Sequence, residues 1–151
     1  MYYGVYSGPV LQPVSAILSS TIKAENIKAD NCIDGETGGK LCHTKSEAAP
    51  WLAIDYGQHV IIKSVEIFNR RGQYANRLKN VDIRVADERP KSDYGNEMFT
   101  GGQLFGHFKG PAENGEEILV TGQKHISKCK KIDFAYYRCT DIREVRHCPN
   151  E

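Results

Sequence analysis

One histidine and a pair of arginines are spaced so that they could offer a set of fixed hydrogen-bond donors. His43 stands just before an apolar stretch. Arg70 and Arg77 lie in the polar segment 69–79, with a third arginine and the aromatic Tyr74. Guanidinium and imidazole N–H groups lie in rigid planes, which suits the ring and hydroxyl oxygens of a sugar, or a carboxylate. An aromatic neighbour suits an apolar sugar face. The residues therefore indicate either a binding loop or a plain solvated loop.

Motifs of catalysis are missing from the sequence. It contains no nucleophile elbow, zinc-protease helix, phosphate-binding loop or dinucleotide-binding motif. Asp55, Glu66 and Asp82 could supply the paired acids of a glycosidase, but their positions are typical of the solvated faces of strands. We expect the protein not to be an enzyme, and a small hydrolase is the weakest alternative.

The elements that would position these residues are predicted to be short strands. Residues 80–86 alternate between apolar and polar side chains, and the segment 60–68 is rich in β-branched residues. Further strands are predicted at 51–56, 103–108, 117–121 and 141–145, and a period of two recurs at Ile132, Phe134 and Tyr136. Glycine-rich turns separate these segments, and no capped helix of ten residues is evident. The pattern predicts an all-β sandwich or barrel, as one domain over residues 1–151.

Composition excludes several classes of protein. The 151 residues are 40% hydrophobic and 26% charged, as in ordinary globular domains. Twenty basic and 19 acidic side chains leave a formal charge of +1, which argues against a partner such as nucleic acid or an anionic membrane surface. No apolar run reaches the roughly 18 residues of a spanning helix. The N-terminal residues lack a basic segment, so we expect neither membrane insertion nor a signal peptide within this sequence.

Five cysteines suggest an oxidising compartment. They stand at Cys32, Cys42, Cys129, Cys139 and Cys148, and no two are spaced as in zinc ribbons or thioredoxins. Two disulfides and one remaining thiol are the simplest arrangement, with five reduced cysteines as the alternative. The sequence holds no N-glycosylation motif. We expect a secreted, extracellular protein.

Several motifs appear together in a characteristic order. They are Asn31-Cys32-Ile33-Asp34-Gly35, Cys42-His43-Thr44, Pro50-Trp51, Asn69-Arg70 and Arg77-Leu78, followed by the strand from Val81 to Val85. In this order and spacing they resemble the F-type lectins, or fucolectins. That family has a jelly-roll β-sandwich similar to discoidin and coagulation-factor C domains. The resemblance is good over the first two thirds of the chain and loose over the last third. It implies the same jelly-roll fold here.

The resemblance also implies a carbohydrate site. In F-type lectins one histidine and two arginines donate hydrogen bonds to α-L-fucose, and the matching residues here are His43, Arg70 and Arg77. Arg70 follows His43 by 27 positions and Arg77 follows Arg70 by seven, as in typical members. Gly72 stands where the family usually has an aspartate, and Tyr74 lies where some members place part of a Cys-Cys pair. Both departures bear on affinity and fine specificity more than on the binding mode.

A structural calcium ion and a disulfide are implied in the same way. The matching metal ligands are Asn31, Asp34, Glu36, Leu41 and Asp141, with Glu144 as the alternative to Asp141 and a plain turn at Asp34-Gly35 as the alternative to a metal site. The family also joins the cysteine before the binding histidine to one on the final strand. Here that pairing would be Cys42 with Cys139, while Cys32, Cys129 and Cys148 have no assigned partners.

Two functions follow as competing expectations. The first is a secreted lectin that binds terminal fucose on glycans, as a monomer or a homo-oligomer, in recognition of microbial or cell-surface sugars as in innate immunity. The second is a discoidin-like adhesion domain that binds proteins or lipid head groups through loop-tip residues. Its candidate surfaces are Tyr2, Tyr3 and Tyr6, or the region 129–131.

Overall fold

Eight short strands form two β-sheets in the part of the chain that the computed structural model describes, which comprises residues 12–24, 26–37, 40–86, 102–122, 132–137 and 142–148. The strands are β1 Ser15–Leu18, β2 Leu52–Val60, β3 Ser64–Asn69, β4 Val81–Ala86, β5 Gln103–Phe108, β6 Glu117–Thr121, β7 Ile132–Tyr137 and β8 Ile142–Cys148. Two short 3-10 helices, Ala29–Cys32 and Ala75–Arg77, lie in the connections. No helix among these residues is long and apolar enough to cross a membrane.

The two sheets are antiparallel and differ in size. The larger has the order β1-β2-β7-β4-β5 and the smaller has the order β6-β3-β8. Strands that follow each other in sequence therefore often lie in different sheets, as β2 and β3 do. The chain crosses from the small sheet to the large one between β3 and β4. Residues 70–80, which make this crossing, contain Arg70, Tyr74 and Arg77, and we call them the arginine loop.

The core lies between the sheets and follows from the alternation of the strands. In β4 the side chains of Val81, Ile83 and Val85 are buried, whereas Asp82 and Arg84 are only partly covered. The inward side chains of both sheets join in one hydrophobic cluster, which includes Leu52, Ile54, Val65, Ile67, Ile83, Phe105, Ile118 and Val120. Burial of apolar area on this scale is the main term that stabilises a sandwich. The rigid frame fixes the loops at its ends.

The predicted all-β sandwich is confirmed, and the strand boundaries differ in one instructive place. The segment predicted as one strand over 60–68 is the end of β2, a three-residue crossing and β3. Ile62, within the crossing, is 7% exposed and belongs to the core. The β-branched residues Val60, Ile61 and Ile62 continue into the crossing because Ile62 packs in the core there, so the residue pattern alone could not reveal the break. Strand β1, which pairs with β2, was not predicted.

Candidate functional site

The arginine loop has a fixed local geometry. Gly72 has φ of +92° and Tyr74 has φ of +73°, so two left-handed residues turn the chain within three positions. A 3-10 turn follows, in which the Arg77 N–H donates to the carbonyl of Tyr74 at 3.0 Å. Asn80 and Val81 then lead into β4. The turn places Arg77 on the same side of the loop as the ring of Tyr74.

The aromatic ring of Tyr74 lies beside both arginines of the predicted site. The guanidinium carbon of Arg77 lies 4.0 Å from the centroid of this ring, and that of Arg70 lies 5.9 Å from it. Both distances are within the range of cation–π attraction. The ring remains 52% exposed. A guanidinium that stacks on an aromatic ring contacts the ring with its flat face. The N–H groups of that guanidinium point outward in its own plane and do not take part in the stacking contact. Two sets of planar donors are therefore held beside one half-exposed aromatic ring, as the sequence predicted for Arg70, Tyr74 and Arg77.

His43 lies on a second loop, residues 43–51, which we call the histidine loop. The Nδ1 of His43 forms a hydrogen bond with the backbone carbonyl of Thr44. A carbonyl oxygen can only accept, so Nδ1 carries the hydrogen. In the neutral ring Nε2 is then an acceptor. The ring is partly buried and Thr44 is fully buried, which restrains the orientation of the imidazole.

A hydrogen-bond network that the sequence did not reveal fixes the histidine loop to the end of β1. The hydroxyls of Ser19 and Ser20 both donate to Oε1 of Glu47, at 2.6 and 2.7 Å. The same hydroxyls accept the backbone N–H groups of Trp51 and Lys45, at 3.1 and 2.9 Å. The carboxylate of Glu47 therefore holds the two serine hydroxyls that bond to both ends of the histidine loop.

The cysteine that precedes His43 forms a different disulfide from the one predicted. Cys42 is bonded to Cys32, with 5.5 Å between their Cα atoms. A sulfur forms one disulfide bond, so the predicted pairing of Cys42 with Cys139 is wrong in this structure. The 3-10 helix Ala29–Cys32 brings Cys32 beside Cys42, and a parallel bridge between Ile27 and Leu41 runs next to it. Cys139 and Cys129 lie outside the described residues.

Three of the five predicted calcium ligands, Asp34, Glu36 and Leu41, lie in the segment closed by this disulfide, and a fourth, Asn31, directly precedes it. Nδ2 of Asn31 donates to the carbonyls of Asn26 and Leu41, at 2.6 and 2.9 Å. Oδ1 of Asp34 accepts the N–H of Glu36 at 2.9 Å, as in an Asx turn. The fifth predicted ligand, Asp141, lies outside the described residues.

The chemistry of this donor set fits calcium, which prefers carboxylate, amide and carbonyl oxygens. Asp34 and Glu36 supply carboxylates, and Leu41 supplies a carbonyl with a second lone pair. Within the described ranges, no three His, Cys, Asp or Glu side chains are grouped as a metal site. A calcium ion here would therefore depend largely on backbone and amide oxygens.

The acids that a glycosidase would need are separated or engaged elsewhere. Glu66 belongs to the small sheet, whereas Asp55 and Asp82 belong to the large one. Oδ1 of Asp55 accepts the N–H of Gly57 at 2.7 Å. Asp82 pairs with Nδ1 of His107 across β4 and β5, also at 2.7 Å. The tyrosines and the region 129–131 named for an adhesion surface lie outside the described residues.

The chain belongs to the F5/F8 type C family of NedA-like, galactose-binding domains, because its residues 31–107 match the profile of that family. The match includes His43 and the whole arginine loop. A search of curated proteins found no match.

Solved structures of lectin domains have the same fold. A fucolectin from the serum of striped bass, Morone saxatilis, superposes with a TM-score of 0.76 at 19% identity over 92% of this chain. This chain spans 47% of that protein. The lectin domain of lectinolysin, solved with Lewis B antigen, gives 0.66 at 22% identity, over 91% of this chain and 93% of that one. A fucose-binding module from Streptococcus pneumoniae gives 0.66 at 21% identity, over 95% and 99%. The predicted resemblance in fold is confirmed.

Proposed function

We propose that this chain is a non-catalytic lectin domain that binds terminal α-L-fucose on glycans through Arg70, Arg77 and His43. The observation that carries the proposal is the contact of both guanidiniums with Tyr74 on one crossing loop. Sugars are bound in proteins by planar polar groups beside an aromatic surface, and this loop supplies both. The three similar domains are described as a fucolectin, a lectin domain with Lewis B antigen and a fucose-binding module, which supports fucose as the ligand.

The roles of the three side chains follow from their donors and acceptors. Arg70 and Arg77 donate in-plane N–H groups to sugar oxygens, while the Tyr74 ring contacts the apolar edge of the sugar. The resemblance implied that His43 is a donor, but its Nδ1 hydrogen is directed to the carbonyl of Thr44, so in the neutral ring Nε2 accepts from a sugar hydroxyl instead. Gly72 supplies no carboxylate to orient a guanidinium, and Tyr74 takes over that orienting role by stacking.

A glycan array tests the ligand class. The array carries matched pairs of glycans with and without terminal α-L-fucose, and also glycans that end in β-galactose. We expect signal only for the fucosylated member of each pair, and none for the protein with Arg77→Ala. Equal signal for both members of each pair would contradict fucose recognition. Binding to liposomes or matrix proteins without competition by sugar would support the adhesion alternative instead.

We also propose that the segment around Asp34 binds a structural calcium ion. Asp34, Glu36 and Leu41 would hold it, and Asn31 holds the carbonyl of Leu41 in place. The ion would stabilise the segment that ends at Cys42, directly before His43. The Cys32–Cys42 disulfide supports the proposal that the protein functions in an oxidising, extracellular environment, where it would recognise microbial or cell-surface sugars.

A further inference from the structure

A buried asparagine at the end of β3 makes an unusual set of hydrogen bonds. Asn69 is 2% exposed. Its Nδ2 donates to the carbonyls of Ala75 and Glu113, at 3.0 and 2.7 Å. Its Oδ1 accepts the backbone N–H of Arg70 at 2.9 Å. One short side chain therefore joins the first residue of the arginine loop, the start of its 3-10 turn and the opposite segment of chain.

The opposite segment follows the arginine loop along its length. We call residues 109–116 the backing segment. The N–H of Asn80 donates to Lys109 at 3.0 Å, and the N–H of Ala112 donates to Leu78 at 2.8 Å. At the other end, Oδ1 of Asn114 accepts the N–H of Gly72 at 2.7 Å.

Gly115 adds a hydrogen bond to this contact, and its conformation and close surroundings favour glycine. Its N–H donates to the carbonyl of Arg70 at 3.0 Å. A Cβ at position 115 would come within 3.0 Å of the Arg71 side chain, and φ there is +69°. The arginine loop is therefore packed directly against backbone.

We propose that Asn69 is a positioning residue that sets the separation of Arg70 and Arg77, and that Asn114 of the backing segment assists it. A buried amide costs free energy unless its groups are bonded, and an apolar side chain would bury more cheaply at the end of this strand. Both hydrogens of Nδ2 and a lone pair of Oδ1 are used, and two of these three bonds go to the loop that carries the arginines. The inference takes its ligand, fucose, from the proposed function, whereas the positioning of the two arginines by Asn69 does not depend on which ligand binds.

Asn69→Asp tests the proposal with the smallest change. The carboxylate still accepts from the N–H of Arg70, but its second oxygen faces the carbonyls of Ala75 and Glu113 and repels them. We expect the Kd for L-fucose to rise by about tenfold or more, by titration calorimetry. Val65→Ala is the control, because it removes buried methyl groups from the same strand, four positions before Asn69, and breaks none of the side-chain hydrogen bonds of Asn69. We expect it to lower Tm while Kd stays within about twofold of the wild type. Equal weakening by both variants would overturn the proposal.

A second readout does not need the sugar. Arg77 is stacked on Tyr74, so its side-chain protons should show upfield ring-current shifts in NMR spectra of the free protein. Asn69→Asp should move them towards unstacked values, and Val65→Ala should not. Unchanged Arg77 shifts in a folded Asn69→Asp protein would overturn the proposal, whether or not the wild type binds fucose. If the wild type binds no fucose but the shifts move as expected, the proposed ligand fails and the positioning role stands.

Asn114→Ala keeps the test decisive if Asn69→Asp does not fold. Asn114 is exposed, so its removal should leave Tm nearly unchanged. Loss of its bond to the N–H of Gly72 should still shift the Arg77 signals and weaken L-fucose binding by about threefold. Wild-type Arg77 signals in this variant would contradict the role of the backing segment and, where Asn69→Asp is unfolded, would overturn the proposal.

Discussion

The guanidinium carbon of Arg77 lies 4.0 Å from the centre of the Tyr74 ring. This contact joins a cation and an aromatic ring three positions apart, and it depends on the left-handed conformation of Tyr74 and the 3-10 turn after it. The ring of Tyr74 therefore acts as a fixed surface against which the planar donors of the loop are held.

Removal of the ring should weaken sugar binding. A cation–π contact at an exposed site contributes about 0.5–1 kcal/mol, so Tyr74→Ala should raise the Kd for L-fucose about two- to fivefold. Tyr74→Phe keeps the aromatic face and should bind as the wild type does. Calorimetric titration of both proteins distinguishes them. Wild-type affinity in Tyr74→Ala would show that the ring takes no part.

Peptide mapping should find Cys32 joined to Cys42. Tryptic cleavage after Lys28, Lys40 and Lys45 separates these two cysteines into the peptides 29–40 and 41–45, which only a disulfide can hold together. We expect this pair under non-reducing conditions and its disappearance after reduction. A peptide that links 41–45 to 139–143 would instead restore the pairing of Cys42 with Cys139.

Removal of the disulfide should also destabilise the fold. The disulfide links two residues ten positions apart and so reduces the entropy of the unfolded chain. The chain-entropy model gives about 3 kcal/mol of stabilisation for a loop of this length. Cys32→Ser with Cys42→Ser should therefore lower the free energy of unfolding measured in urea by about that amount. An unchanged midpoint would contradict a native Cys32–Cys42 bond.

Calcium should raise Tm if the segment around Asp34 binds it. A ligand that binds only the folded state stabilises it by mass action. Protein freed of metal with EDTA, and confirmed metal-free by elemental analysis, should melt at a higher temperature when calcium is restored. Asp34→Asn should reduce this rise, and Glu117→Gln, an exposed acid on β6 outside the proposed ligand set, should not. Identical melting with and without calcium in the wild type would rule out the proposed ion.

Stability should fall in alkaline solution because of Tyr56. Burial raises the pKa of the Tyr56 phenol well above its usual value. Near pH ~10 the unfolded chain loses this proton while the folded protein keeps it. The contribution of the protonated Tyr56 to the free energy of unfolding is therefore fully present below that pH. It is lost as pH rises further, by up to about 1.4 kcal/mol for each pH unit. Urea unfolding between pH 9 and 11 should show a shallower decline for Tyr56→Phe than for the wild type. Parallel declines would contradict this assignment.

The sequence allowed good prediction of the strands and the arginine loop, for physical reasons that differ. Residues 81–86 alternate so regularly that only a half-buried strand fits, and this is strand β4. Arg70, Tyr74 and Arg77 are within eight positions of one another in the sequence, so they had to lie near one another in the same loop. Asn69 was missed because an asparagine in a polar run resembles a loop residue, and only the backing segment, more than 40 positions later, buries it.

The partners in the disulfide, unlike the strands, could not be predicted from the sequence. Five cysteines allow many pairings, and the sequence does not contain the tertiary geometry that selects one. Cys32 and Cys42 meet because a 3-10 helix and a parallel bridge bring their backbones within 5.5 Å. Neither element has a pattern that could be predicted from the residues between 26 and 42.

The central claim is that Arg70 and Arg77 bind fucose, and titration of L-fucose into matched arginine variants tests it most directly. Loss of a charged donor to a sugar oxygen costs about 1.5–3 kcal/mol, so Arg70→Ala and Arg77→Ala should each weaken binding at least about tenfold. Arg71→Ala removes the same charge from an exposed side chain that lies over Gly115, and it should bind L-fucose as the wild type does. Wild-type affinity in both Arg70→Ala and Arg77→Ala, or equal losses in all three variants, would contradict the account.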